Sequence, residues 1–123
     1  MDIQNLSVID IAKLSKEQGT VVTDGYINKP VAMVNDHVIR MSVMTESYFW
    51  HLHPDSDESF MVIEGSIFID LEDKTIELFP NQIFTIPKNV VHRTRPNGNR
   101  SVNITFESGT MTTERVSPGD GQN

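Results

Sequence analysis

The sequence predicts an all-β jelly roll or barrel preceded by a short helix. Two patterns carry that reading. β-branched and aromatic residues recur in short alternating runs, and clusters of Gly, Pro, Asn and Asp separate those runs at the spacing of sandwiches and barrels. Size is the third observation. A chain of 123 residues holds one core and no second, and about eight strands in it remove their sheet edges most readily by rolling closed.

Taken in order, residues 8–18 (VIDIAKLSKEQ) read as a helix with Ile11, Leu14 and Gln18 on one face and Gly19 as its stop. Strands are expected at VVTDGYI, VNDHVIRMSVM, YFWHLH, SFMVIEG, SIFIDLE, TIELF, QIFTIP, HRTR and SVNITFE. The breaks fall at Asn28-Lys29-Pro30, Pro54-Asp55-Ser56-Asp57, Glu72-Asp73-Lys74, Phe79-Pro80-Asn81, Pro87-Lys88-Asn89 and Pro96-Asn97-Gly98-Asn99. SIFIDLEDKTIELF reads as a hairpin, with Ile67, Ile69 and Leu71 opposite Ile76 and Leu78. This divides the chain into an N-terminal helix with leading strands (1–34), a barrel core (35–107) and a C-terminal extension (108–123) whose polar end, SPGDGQN, is expected to be disordered.

A net charge of −7 argues against a nucleic-acid partner or a polybasic membrane contact. Cysteine is absent, which excludes disulfides and thiolate ligation and fits a reducing compartment. The N-terminus has no basic, continuously apolar leader, and no run reaches the roughly 20 apolar residues of a membrane span. A soluble, cytoplasmic domain is expected.

The chemistry concentrates in histidines. His51 and His53 stand two apart in a candidate strand, so both imidazoles point to one side. Glu58 opens the returning strand after a Pro-Asp-Ser-Asp turn, which can bring its carboxylate back beside them, while Asp57 points away. His92 starts a distant β run after another Pro turn. Three neutral imidazoles and one carboxylate make a nitrogen–oxygen ligand set suited to one divalent ion, Fe, Mn, Ni, Zn or Cu, with open positions left over.

The pattern His51-x-His53-x4-Glu58-x6-Gly65, followed by Pro87-x-Asn89-x2-His92, resembles the two signature motifs of the cupin superfamily. It is most similar to the small single-domain, conserved-barrel members related to mannose-6-phosphate isomerase, from about residue 35 to 106. The resemblance implies a double-stranded β-helix barrel with a metal held by residues at His51, His53, Glu58 and His92. It also implies a homodimer. Thr45, Asn81, Asn89 and Pro96 depart from the family pattern, none of them at a proposed ligand. Asn tolerates positive φ best after Gly, so Asn81 and Asn89 keep the turns feasible, with Asn89 at i+2 of a type II turn.

Strand alternation extends the site. Phe49 shares the phase of His51, Phe60 that of Glu58 and Thr94 that of His92; with Met41 and Phe106 they are the expected pocket walls, the apolar alternations Ile39-Met41-Val43 and Val102-Ile104-Phe106 being core first. Tyr48 and Trp50 fall outward and suggest an intersubunit contact. Arg93 and Arg95 point away from the histidines and are expected in structural or interface salt bridges, and His37 reads as a surface residue. The pocket so drawn is apolar and aromatic, with no inward Lys or Arg to hold a phosphate. These readings favour a metalloenzyme acting on a small organic molecule, by oxygenase, isomerase or cyclase-type chemistry, with oxidative or enolate chemistry preferred and catalytic residues beyond the ligands unassigned. The alternative is a non-enzymatic module that binds a small molecule or a metal.

Overall fold

In the computed structural model, residues 6–19 and 25–117 are described. The first part of VVTDGYI and the end of the C-terminal tail therefore lie outside the described residues. One helix, α1 (Ile11–Gly19), precedes ten strands among the described residues: β1 (Tyr26–Val34), β2 (His37–Met44), β3 (His51–Leu52), β4 (Glu58–Glu64), β5 (Ile67–Leu71), β6 (Thr75–Leu78), β7 (Ile83–Ile86), β8 (His92–Pro96), β9 (Ser101–Ser108) and β10 (Glu114–Arg115). They form two antiparallel five-stranded sheets, β1-β2-β9-β4-β7 and β10-β3-β8-β5-β6. Two facing sheets of this kind make a jelly roll. No helix among the described residues is long and apolar enough to cross a membrane.

The helix begins at Ile11, not Val8, because Asp10 caps it. The Asp10 carboxylate accepts from the Lys13 N–H at 3.1 Å, satisfying one of the donors a helix start leaves open. Ile11 and Leu14 pack on the outer face of the first sheet, as their spacing requires. Arg100 ties the helix down by donating to the Ser15 carbonyl at 2.7 Å and pairing with Glu64.

Two expected boundaries move. Asn28-Lys29-Pro30 does not break the chain but runs inside β1, with a register shift between Pro30 and Ala32. β1 is a sheet edge, where a residue without an N–H is tolerated. VNDHVIRMSVM, in contrast, is two strands. Asn35, at φ 55°, and Asp36 form a two-residue turn pairing Val34 with His37.

Other local signals are realised as expected. The β5–β6 hairpin pairs Ile67 with Leu78 and Ile69 with Ile76. In both Pro turns Asn takes the left-handed position, Asn81 at φ 71° and Asn89 at φ 68°. The closing bonds Gln82 N–H to Phe79 O and Val90 N–H to Pro87 O place each Asn at i+2, the position type II turns require at positive φ.

Gly65 is bound to its place for two reasons: its φ is +74°, and a Cβ there would stand 2.9 Å from the Arg100 carbonyl oxygen. Gly65→Ala is expected to cost about 2 kcal/mol, a fall of about 8 °C in thermal midpoint. An unchanged midpoint would contradict this account of the turn.

The core has two layers. Between the sheets lie Phe60, Val62, Ile67, Ile69, Leu78 and Ile86. Outside the first sheet, beneath α1, lie Val31, Met41, Val43, Val102 and Ile104, with Ile39 and Phe106 against them. Each fully buried side chain of this kind contributes roughly 1.5–3 kcal/mol. The outer layer reverses an expectation. Met41 and Phe106 belong to the face that α1 covers, so on β2 and β9 the polar residues are the ones that face inward.

Candidate metal centre

His51 on β3 pairs directly with His92 on β8, and Glu58 opens β4 on the opposite sheet. The Pro87–Val90 turn docks on the first motif through the Asn89 N–H, which donates to the His53 carbonyl at 2.8 Å. The loop acids serve as struts here. Asp57 accepts from the Lys88 N–H, and Asp55 accepts from the Thr112 N–H and hydroxyl. Together these bonds bring His51, His53, Glu58 and His92 into one buried cluster whose side-chain donor atoms all lie within 4.8 Å of one another.

The tautomers follow from the backbone. Nδ1 of His51, His53 and His92 lies 2.8, 3.0 and 2.9 Å from the carbonyl oxygens of Phe49, Thr112 and Val90. A carbonyl only accepts, so each Nδ1 carries the proton and each Nε2 lone pair is left to face the cluster when the ring is neutral. Among the described residues the buried atoms His53 Nε2, Glu58 Oε1 and His92 Nε2 have no hydrogen-bond partner, although Glu58 Oε1 lies 3.2 and 3.5 Å from the two nitrogens. Orphaned buried polar atoms are costly, and here they converge. Such a donor set fits a divalent transition metal.

Charge is divided unevenly. Burial, reinforced by the charge of His92, pushes His51 down to about 4, favouring its neutral form. Burial also opposes charge on His53, but Glu58 more than reverses it and the net shift is upward. For Glu58, burial alone would raise the carboxyl, yet the facing His53 and His92 hold it at about 2.

The cluster opens on a cavity of about 320 Å³. His51, His53 and Glu58 line it; His92, at 0% exposure, does not. Phe60 and Thr94 are walls, as strand phase indicates. Met41 and Phe106 face the outer layer.

Phe49 and Tyr48 trade the places that alternation assigns them. β3 starts only at His51, so the two-residue period does not extend back to them. Tyr48 lines the cavity, while Phe49 stacks on Tyr48 and lies under the Arg115 guanidinium, 4.1 Å from its ring centre. Tyr48 therefore presents no outward face to a second subunit, and Trp50 is half-buried with the Arg93 guanidinium 5.0 Å from its ring centre. Arg93 and Arg95 point away from the cluster and pair with Asp70. His37 is exposed beside Asp36.

The larger correction concerns the remaining wall. Tyr26, Asn28, Arg40, Ser42, Asn103, Thr105 and Glu107 line the cavity, so it is hydrophilic and does contain an inward arginine. Burial raises Tyr26 to about 12, and burial with the charge of Glu58 raises Glu107. A sequence signal for this wall existed. The amphipathic helix needs an apolar surface to sit on, and the apolar phases of β2 and β9 supply it.

A cupin domain matches residues 38–106, more than half of the chain. The chain belongs to the cupin family. This cupin is 47% identical over 87 residues to the uncharacterized protein YdbB of Bacillus subtilis (strain 168), covering 70% of this chain and 76% of YdbB. A cupin-2 domain containing protein from Shewanella frigidimarina superposes with TM-score 0.71 at 25% identity, covering 82% of this cupin and 94% of that chain. A double-stranded β-helix protein from Klebsiella pneumoniae superposes with TM-score 0.74 at 14% identity, covering 89% and 96%, a likeness of fold alone.

Proposed function

We propose that this cupin is a metalloenzyme acting on a small organic molecule, with one divalent transition-metal ion held by His51, His53, Glu58 and His92. One observation supports it above the rest. Three imidazoles are locked by backbone carbonyls with Nε2 facing one buried carboxylate, at the side of a cavity large enough for a ligand. When bound there, such an ion supplies Lewis acidity toward a substrate oxygen. The protein's own residues do the rest. Phe60 and Tyr48 limit the cavity on its apolar side, and Thr94 offers a hydroxyl beside the histidines. The hydrophilic wall of β1, β2 and β9 removes the reason for preferring oxidation of an apolar substrate and supports proton-transfer chemistry on a polar one.

The test is elemental analysis of the purified protein after expression in metal-supplemented medium. About one transition-metal ion per chain is expected, with its identity set by availability as well as ligand type. A metal-free protein that also fails to take up Fe, Mn, Ni, Zn or Cu on reconstitution would overturn the reading.

A further inference from the structure

Binding a metal needs four side chains; it does not explain the opposite wall. Inward positions on three adjacent strands are polar there, Tyr26 and Asn28 on β1, Arg40 and Ser42 on β2, and Asn103, Thr105 and Glu107 on β9. Interiors of small barrels are ordinarily filled by apolar side chains, and each polar group placed inside must find a partner.

Most of this wall is already wired. Asn28 Nδ2 donates to Ser42 Oγ at 2.8 Å, and an Arg40 terminal N–H donates to Asn28 Oδ1 at 3.3 Å. The Thr105 hydroxyl donates to Glu107 Oε1 at 2.7 Å, and Arg40 Nε lies 3.8 Å from Glu107 Oε2. These contacts hold the Arg40 guanidinium in place while leaving its side chain one-third exposed, at 34%. Asn103 is the exception. It is 1% exposed and lines the cavity, yet its Oδ1 has no hydrogen-bond partner among the described residues. A buried acceptor left open in this way is destabilising unless a ligand or water meets it.

We propose that this wall is a recognition subsite for a small hydroxylated carboxylate. Arg40 takes the carboxylate, and Asn103 Oδ1 and the Glu107 carboxylate accept from its hydroxyls. The fork of a guanidinium matches a carboxylate, and an apolar ligand would strand Asn103 and its polar neighbours without partners. Charge selects within the anions. Glu107 and Glu58 also face the cavity, so a single arginine favours a monoanion over a phosphate dianion. This names the substrate class for the metalloenzyme reading and rests on that reading only for the ion beside the subsite.

The test is titration calorimetry with three probes: gluconate, its uncharged counterpart glucitol, and catechol. Metal content and thermal midpoint are measured on every preparation. Gluconate is expected to bind at least about tenfold tighter than either other probe. Arg40→Met and Asn103→Leu are each expected to weaken it by about tenfold or more with metal content retained, and Arg40→Lys to fall between. If Asn103→Leu does not fold, Asn103→Ala, which removes the acceptor without adding bulk or charge, gives the same reading. Gluconate binding no tighter than glucitol, or unchanged in the Arg40 and Asn103 variants, would overturn the subsite. A chain that takes up no metal but binds gluconate through Arg40 and Asn103 would refute the metalloenzyme reading and uphold the subsite.

Discussion

His92→Ala is expected to leave a folded barrel that no longer gains stability from added metal. His92 is fully buried, its Nδ1 proton is committed to the Val90 carbonyl, and its Nε2 faces Glu58. Alanine removes the donor nitrogen while β8 keeps its pairing with β5, which does not depend on the side chain. A ligand that binds only the folded state stabilises it by about 2.7 kcal/mol at a hundred times its dissociation constant, roughly 10 °C for a domain of this size. Scanning calorimetry with and without Zn(II) or Ni(II) should show that rise in the wild type and little of it in His92→Ala. His37→Ala is the control, since His37 is exposed and pairs with its neighbour Asp36, away from the cluster. An equal rise in wild type and His92→Ala would remove His92 from the metal set.

The second large effect lies on the other side of β8. Asp70 is 5% exposed and accepts from Arg93 Nε and Arg95 Nε at 2.8 Å, from a second Arg95 N–H at 3.2 Å and from the Thr75 hydroxyl at 2.7 Å. Burial alone would raise its carboxyl, but Arg95, Arg93 and Thr75 hold it well below the usual carboxylate range. Breaking one partner of a buried charged network costs about 3–5 kcal/mol. Both arginines are one-third exposed, so Asp70→Asn is expected near the low end, about 3 kcal/mol, or about 12 °C.

The pH dependence has a definite sign. A depressed carboxyl contributes stability that is fully present above its unfolded-state value, near pH 4, and is lost as pH falls below it. The gap in thermal midpoint between wild type and Asp70→Asn should therefore be widest at neutral pH and narrow on acidification. A gap independent of pH would show that packing rather than charge makes the network.

What was legible in the sequence follows from strict local rules. Asn81 and Asn89 could be assigned to left-handed turn positions because few other side chains accept them. The β5–β6 hairpin could be registered because two apolar alternations flank a short polar turn. His51 and His53 share a face through the two-residue period of a strand, and the same period sends Arg93 and Arg95 away from His92 and toward Asp70.

The same period cannot say which face is inside. On β2, Met41 and Val43 alternate with Arg40 and Ser42; on β9, Val102 and Ile104 alternate with Asn103 and Thr105. Apolar residues point inward only when no other surface claims them, and here α1 does, through Ile11 and Leu14. Sequence by itself determined the turns, the hairpin register and the residue types of the histidine–glutamate cluster, all local in origin. Tertiary structure alone decided that Arg40, Asn103 and Glu107 face the cavity while Met41 and Phe106 do not, because that choice depends on what packs against each side of the sheet.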